Sequence, residues 1–185
     1  MSRERLEVMN GHKGGVVWFT GLPGSGKSTI ANGVQERLLQ SGVRCVVLDG
    51  DELRKGLNRD LGFSEADRLE NLRRAAQVAQ LFVQAGMFVL APFITPMDSF
   101  REVVRSFFKP KDYSELYVKC ALDSCVRRDP KGMYSQALAG KLPDFTGISA
   151  PYEPPVDADF VIDTEGVELQ QCVDTLVQFV QCRLQ

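Results

Sequence analysis

The stretch GLPGSGKST, Gly21 to Thr29, follows directly on the apolar run VVWFT, residues 16–20. Gly21, four residues, then Gly26-Lys27-Ser28 is the spacing of a phosphate-binding loop. Glycines let successive backbone N–H groups converge on one anion, and the helix that follows adds the positive end of its dipole. In this reading Gly21, Leu22, Pro23, Gly24, Ser25, Gly26, Lys27, Ser28 and Thr29 cradle a nucleoside triphosphate. Lys27, taken as a loop lysine at the surface, reaches the outer phosphates, and Ser28 ligates Mg2+ directly. A β-branched strand before the loop and a helix-compatible stretch after it are the context that the motif requires.

Outward from the loop, short apolar runs alternate with helical patterns. The strand candidates are VVWFT, RCVVLDG (44–50), MFVLAPF (87–93), LYVKCAL (116–122) and DFVID (159–163). Between them STIANGVQERLLQSG (28–42) reads as a helix closed by Gly42, and DRLENLRRAAQVAQLFVQAG (67–86) as a longer one closed by Gly86. Leu69, Leu72, Ala76, Ala79 and Phe82 recur at spacings of three and four and predict its buried stripe. Leu169, Val173, Leu176 and Val180 predict a closing helix against the sheet. The fold class is therefore α/β: a three-layer sandwich with a five-stranded, mostly parallel sheet and a P-loop.

A length of 185 residues suits a single domain spanning 1–185. With 24 acidic against 22 basic side chains, nothing points to a nucleic acid or an anionic membrane as partner. No apolar stretch approaches the roughly 20 residues that span a bilayer. The opening MSRERLEVMNGHKGG is too charged for a secretory signal, so a cytoplasmic protein with residues 1–15 as a frayed arm is expected. The five cysteines include no CxxC pair and read as buried apolar residues of a reducing compartment. Residues 127–155, rich in Gly, Pro and Lys, break the alternation and are expected as a mobile lid over bound nucleotides.

Ligands of open α/β sheets lie at the carboxyl ends of the strands. The second strand ends in LDGDELR, which puts Asp49 and Asp51 there. Aspartates also cap short helices, and the two roles are compatible. Asp49 is assigned to Mg2+ through water, and Asp51 to an attacking hydroxyl. Arg54, Arg68 and Asn71, with Phe63 among them, suit a second anion and a base.

These residues carry a resemblance. GLPGSGKST, DGDELRKGLNRDLGFSEADRLENLRR (49–74), PFITPMDSFRE (92–102) and DPKGMYSQALAGKLPDFTGISAPYEPP (129–155) together resemble the adenylylsulfate kinases. The first block is shared by many kinases, whereas the second and fourth are specific in length and content. The resemblance implies a nucleoside-monophosphate-kinase-like fold and transfer of the γ-phosphate of MgATP to the 3′-hydroxyl of adenosine 5′-phosphosulfate. It implies catalytic roles for Lys27, Asp49 and Asp51, and Arg128 against the ATP adenine. Arg54, Arg68 and Asn71 would hold the phosphosulfate, Phe63 and Phe145 would sandwich its adenine, and Ile94, Thr95, Lys131, Gly147 and Ile148 would complete the acceptor site. It further implies a homodimer with a functional link to an ATP sulfurylase. Three departures from the family pattern stand out: Glu52 replaces asparagine, Thr95 replaces serine, and the pair Met97-Asp98 replaces an aromatic-basic pair, taking a positive charge from the crevice. Two alternatives stand beside this reading, a P-loop kinase acting on another nucleotide or small alcohol, and a nucleotide-binding regulatory module with little turnover.

Overall fold

The computed structural model describes residues 1–184. In chain order the elements are α1 (Arg3–Asn10), β1 (Gly15–Thr20), α2 (Lys27–Gln40), β2 (Cys45–Val47), α3 (Gly50–Lys55), α4 (Glu65–Gln84), β3 (Phe88–Pro92), α5 (Asp98–Arg105), β4 (Tyr113–Lys119), α6 (Leu122–Arg128), α7 (Met133–Leu138), β5 (Phe160–Asp163) and α8 (Leu169–Arg183). The strands run in the order β2-β3-β1-β4-β5. Every pairing is parallel. β1 lies at the centre and is buried along its whole length, which is why its sequence is a continuous apolar run rather than an alternating one.

Side chains of β1 alternate between two cores, as the period of a strand requires. Val17 and Phe19 enter the layer of α2 and α8, with Ile30, Val34, Leu90, Leu116 and Leu176. Val16 and Trp18 enter the layer of α4 and α5, with Leu72, Ala76, Ala79, Phe100 and Val104. Trp18 stacks on Phe93 with ring centroids 4.8 Å apart. In α4 the buried stripe is Leu72, Ala75, Ala76, Ala79 and Val83, while Leu69 and Phe82, expected on it, are half-buried at its margin. Ser64 starts that helix by accepting from the Asp67 N–H at 3.2 Å.

Two expectations are corrected. The first fifteen residues are not a frayed arm: residues 3–10 form a helix, and β1 begins at Gly15. Three of the charges that made this segment look solvent-bound, Arg3, Glu7 and Lys13, are in ion pairs. Arg3 donates to both carboxylate oxygens of Asp112, at 2.6 and 2.8 Å, to the Gly14 carbonyl and to Glu7. Glu7, buried, accepts from the Gly14 N–H at 3.0 Å. The second correction concerns residues 127–155, which are not continuous loop but contain α7. The Asp129 carboxylate accepts from the N–H groups of Tyr134 and Ser135, capping α7. Tyr134 and Phe145 meet edge to face at 5.0 Å in a small apolar cluster with Cys120 and Cys125. Four cysteines are buried and Cys182 is exposed. Among the described residues no helix is long and apolar enough to cross a membrane.

Candidate active site

The carboxyl ends of the strands open into one cavity of about 580 Å3. Its floor is the loop between β1 and α2. Gly24 and Gly26 hold positive φ of 75° and 103°, a region that residues with a Cβ adopt at a cost. Gly21 sits at the loop's root, where an added Cβ would lie 2.6 Å from the Val118 carbonyl oxygen. The Lys27 side chain contradicts its expected surface position. It is 7% exposed, and Nζ donates to the carbonyls of Gly21 at 2.9 Å and Leu22 at 2.7 Å. Burial pushes its pKa down to about 8, against the opposing pull of Cys125 and Asp49.

Asp49 divides its two oxygens between two partners. Oδ1 accepts from the Asp51 N–H at 2.8 Å and so caps α3, while Oδ2 accepts from Ser28 Oγ at 2.7 Å. A hydroxyl and a carboxylate side by side are hard oxygen donors. Mg2+ usually takes one or two protein oxygens and fills its shell with phosphate and water, so the pair fits that ion. Among the described residues no three or more His, Cys, Asp or Glu gather into an all-protein metal cage. Asp51, on the first turn of α3, forms an ion pair with Lys131 from the segment before α7.

Across the cavity stand Arg54, Phe63, Arg68 and Asn71, supplied by α3, α4 and the turn between them. The Arg54 guanidinium lies over the Phe63 ring, 4.5 Å from its centroid, and Arg68 lies 5.8 Å from the same ring. Neither arginine has an ion-pair partner among the described residues. Burial lowers the pKa of both, and the charge of Arg54 lowers that of Arg68 further. Two convergent cations in a cleft, neither held in an ion pair, suit an anion. Arg68 also donates to the Asp144 carbonyl at 2.6 Å and to Thr146 Oγ1 at 3.3 Å, fastening α4 to the segment around Phe145.

Ile94 and Thr95 form the back wall. Thr95 is buried with φ of +42°, and its hydroxyl accepts from Trp18 Nε1 at 2.9 Å. Of the residues expected at the ligands, Gly21, Leu22, Gly147 and Ile148 do not line the cavity. Gly147, with φ of +90°, abuts Leu22, and Ile148 packs with Leu22 in the cluster behind the loop. They shape the wall from outside. Asp98 also points elsewhere: it accepts from the buried Arg101 at 3.2 Å, and Met97 packs into the core.

Sequence reasoning missed most of the other end of the cleft, where Thr164, Val167, Leu169 and Cys172 line it. Arg128, expected there, donates to Thr164 Oγ1 and to the Thr164 carbonyl, and Val167, Leu169 and Cys172 complete an apolar patch beside it. Thr164 also donates to the Ser25 carbonyl, tying β5 to the phosphate loop. Its place directly after the last strand, at a carboxyl end, was the signal available.

A family model described as adenylylsulphate kinase matches residues 13–163. The chain belongs to the adenylylsulphate kinase family. The adenylyl-sulfate kinase of Geotalea uraniireducens is 54% identical over 174 residues, 94% of this chain and 84% of that protein. That of Bacillus velezensis is 48% identical over 181 residues, 98% of this chain and 92% of its own. Among solved structures, the Mycobacterium tuberculosis APS kinase CysC in complex with AMPPNP and APS matches with a TM-score of 0.88 at 43% identity, over 91% of this chain and 98% of that one. A Sinorhizobium meliloti gluconokinase, 16% identical with a TM-score of 0.60 over 92% of this chain and 97% of that one, shares the fold alone. This adenylylsulphate kinase is thus a phosphotransferase of the P-loop kinase fold.

Proposed function

We propose that the enzyme transfers the γ-phosphate of magnesium-bound ATP to the 3′-hydroxyl of adenosine 5′-phosphosulfate, giving 3′-phosphoadenosine 5′-phosphosulfate and ADP. The observation that carries the reading is one cavity holding a phosphate loop at one end and two unpaired arginines at the other, with Asp51 between them. ATP lies along Pro23 to Thr29, its base against Arg128 and the patch of Val167 and Leu169. The Lys27 ammonium exchanges its loop carbonyls for the outer phosphates, where a fixed positive charge counters what develops in a loose transition state. Ser28 holds Mg2+ directly and Asp49 through water; the ion, when bound, neutralises the charge of the phosphates. Asp51 accepts the hydrogen bond of the acceptor 3′-hydroxyl and takes its proton as the new O–P bond forms. Lys131, paired with Asp51, keeps that carboxylate turned into the cleft.

Arg54, Arg68 and Asn71 bind the phosphosulfate. The exposed ring of Phe63 and the buried ring of Phe145 supply the stacking surfaces for its adenine. Residues 127–155 act as a lid, for which the bridges Lys131 to Asp51 and Arg68 to Asp144 are the supporting contacts. The family resemblance adds a cytoplasmic homodimer and a functional link to an ATP sulfurylase, the class of enzyme that makes this acceptor; light scattering on the purified chain tests the dimer.

The deciding experiment is incubation with labelled ATP and a panel of acceptors. Adenosine 5′-phosphosulfate should be phosphorylated rapidly, and adenosine, which lacks the anion, very poorly. Efficient use of adenosine or of a sugar alcohol would overturn the acceptor assignment, and a single turnover no faster than background would make the chain a nucleotide-binding module.

A further inference from the structure

A primary amide has two opposite ends, two donors on nitrogen and an acceptor oxygen. Beside a phosphosulfate only the nitrogen end of Asn71 attracts; the oxygen end would repel. Asn71 lines the cavity, and among the described residues its nitrogen makes no hydrogen bond. What selects the end that faces the ligand is the partner held by the other. That partner is Asn58, which lies in the turn between α3 and α4 and does not line the cavity.

Asn58 is 0% exposed. Its Nδ2 donates to Asn71 Oδ1 at 2.9 Å, and its backbone N–H donates to the Leu53 carbonyl at 2.8 Å, one residue from Arg54. Its own Oδ1 is buried with no partner. A buried amide with an orphaned oxygen weakens a fold relative to an apolar side chain of similar size. Stability therefore gives no account of an asparagine here, whereas orientation of Asn71 does.

We propose that Asn58 is a positioning residue for the acceptor. By donating to Asn71 Oδ1 it locks that amide with Nδ2 toward the phosphosulfate. Its backbone bond to Leu53 sets the end of α3, with Arg54, against the start of α4, with Arg68 and Asn71. The inference rests on the acceptor half of the cleft being where the proposed function puts it.

The test is steady-state kinetics on Asn58→Ala and Asn58→Asp, each in the wild-type and Asn71→Ala backgrounds, with melting temperature and the KM for ATP recorded alongside. Asn58→Ala frees the amide to rotate and should raise the KM for adenosine 5′-phosphosulfate about tenfold, as expected for one misdirected hydrogen bond to a charged group. Asn58→Asp should raise it further, roughly a hundredfold, because a carboxylate can only accept and so draws Nδ2 of Asn71 away from the ligand. The KM for ATP should stay within about twofold. In the Asn71→Ala background neither change should add to the acceptor KM, the mark of residues acting as one unit. A wild-type acceptor KM in Asn58→Asp, or effects that multiply independently of Asn71, would overturn the proposal. Should Asn58→Asp not fold, Asn58→Ala in the two backgrounds decides alone. If Asn71→Ala itself leaves the acceptor KM unchanged, the placement of the acceptor falls and this inference with it. A raised KM in Asn71→Ala with none in Asn58→Ala refutes the role of Asn58 only.

Discussion

Replacing Lys27 with methionine separates what this side chain does for catalysis from what it costs the nucleotide-free fold. Burial lowers the ammonium pKa from 10.5 to about 8. Below pH 8 both the folded and unfolded chains carry the proton, and the whole penalty of burying the charge acts against folding. Between about 8 and 10.5 the folded chain has released the proton, so the penalty shrinks as pH rises, and above 10.5 it is gone. At about 1.36 kcal/mol for each tenfold change in protonation, the interval corresponds to roughly 3 kcal/mol. Hydrogen bonds from Nζ to Gly21, Leu22 and Ser25 favour the charged form and reduce this figure. Methionine keeps the apolar stem; of the carbonyls it leaves behind, that of Leu22 still accepts from the Ser25 N–H at 3.1 Å, while that of Gly21 loses its donor and offsets part of the gain. Lys27→Met should therefore be more stable than wild type at pH 7, by about 1–3 kcal/mol, or about 2–4 °C in melting temperature for each kcal/mol in a chain of this size. The same change should lower kcat at least about a hundredfold, the scale of losing one preorganised donor to developing charge. Calorimetry from pH 7 to 10.5, beside a coupled kinase assay, measures both. A variant less stable than wild type at pH 7, or a stability gap that does not close as pH rises, would refute the reasoning.

Asp51→Asn should cut kcat by about 10²–10⁴ while leaving ATP affinity nearly intact, the range of a lost general base; weakened ATP binding at unchanged kcat in rapid-quench measurements would move Asp51 to the metal side. Phe145→Ala removes a buried ring packed against Tyr134, so it should cost about 3–5 kcal/mol of stability in urea unfolding and raise the acceptor KM more than the ATP KM. A loss of stability with no change in acceptor KM would make Phe145 purely structural. Amide exchange in residues 139–151 should slow when ADP and adenosine 5′-phosphosulfate are both present, and equal exchange in both states would show a fixed wall instead of a lid. Arg3→Ala should cost about 3 kcal/mol by leaving the buried Asp112 carboxylate unpaired, with kinetics unchanged; an unaltered denaturation midpoint would show that α1 contributes nothing by docking.

What the sequence made legible is what depends on neighbours in the chain. VVWFT and GLPGSGKST could be read because a two-sided buried strand and a phosphate loop are local patterns. β4 was expected from Leu116 and begins at Tyr113, because Ser114 and Glu115 interrupt the apolar run. Glu115 is 1% exposed and is tolerated there through Arg105 and Arg101, partners that spacing does not announce. α1 was missed for the same reason: its arginine answers an aspartate 109 residues away. α7 hid between a proline and several glycines, its cap supplied by Asp129 from outside the helix. Asp49, Asp51, Arg54, Phe63, Arg68 and Asn71 could be read as neighbours in the cleft, because one continuous stretch of chain from the end of β2 to the start of α4 carries them all. The burial of Lys27 and the bridge from Arg128 to Thr164 follow from how loops fold back, which no periodicity encodes.

Because every strand points the same way, the molecule has a working end and a blind end, and the first and last helices are fastened to the blind one. The backbone N–H of Lys13 donates to the Leu184 carbonyl at 2.9 Å, and α1 is held by Arg3 at the foot of β4, a full strand length from the phosphates. A tether, a fluorophore or a second folded module attached ahead of α1 or behind α8 would hang on the side away from the cleft. Anchored by such a handle to a bead or a chip, the protein would present its nucleotide-binding mouth to the solution.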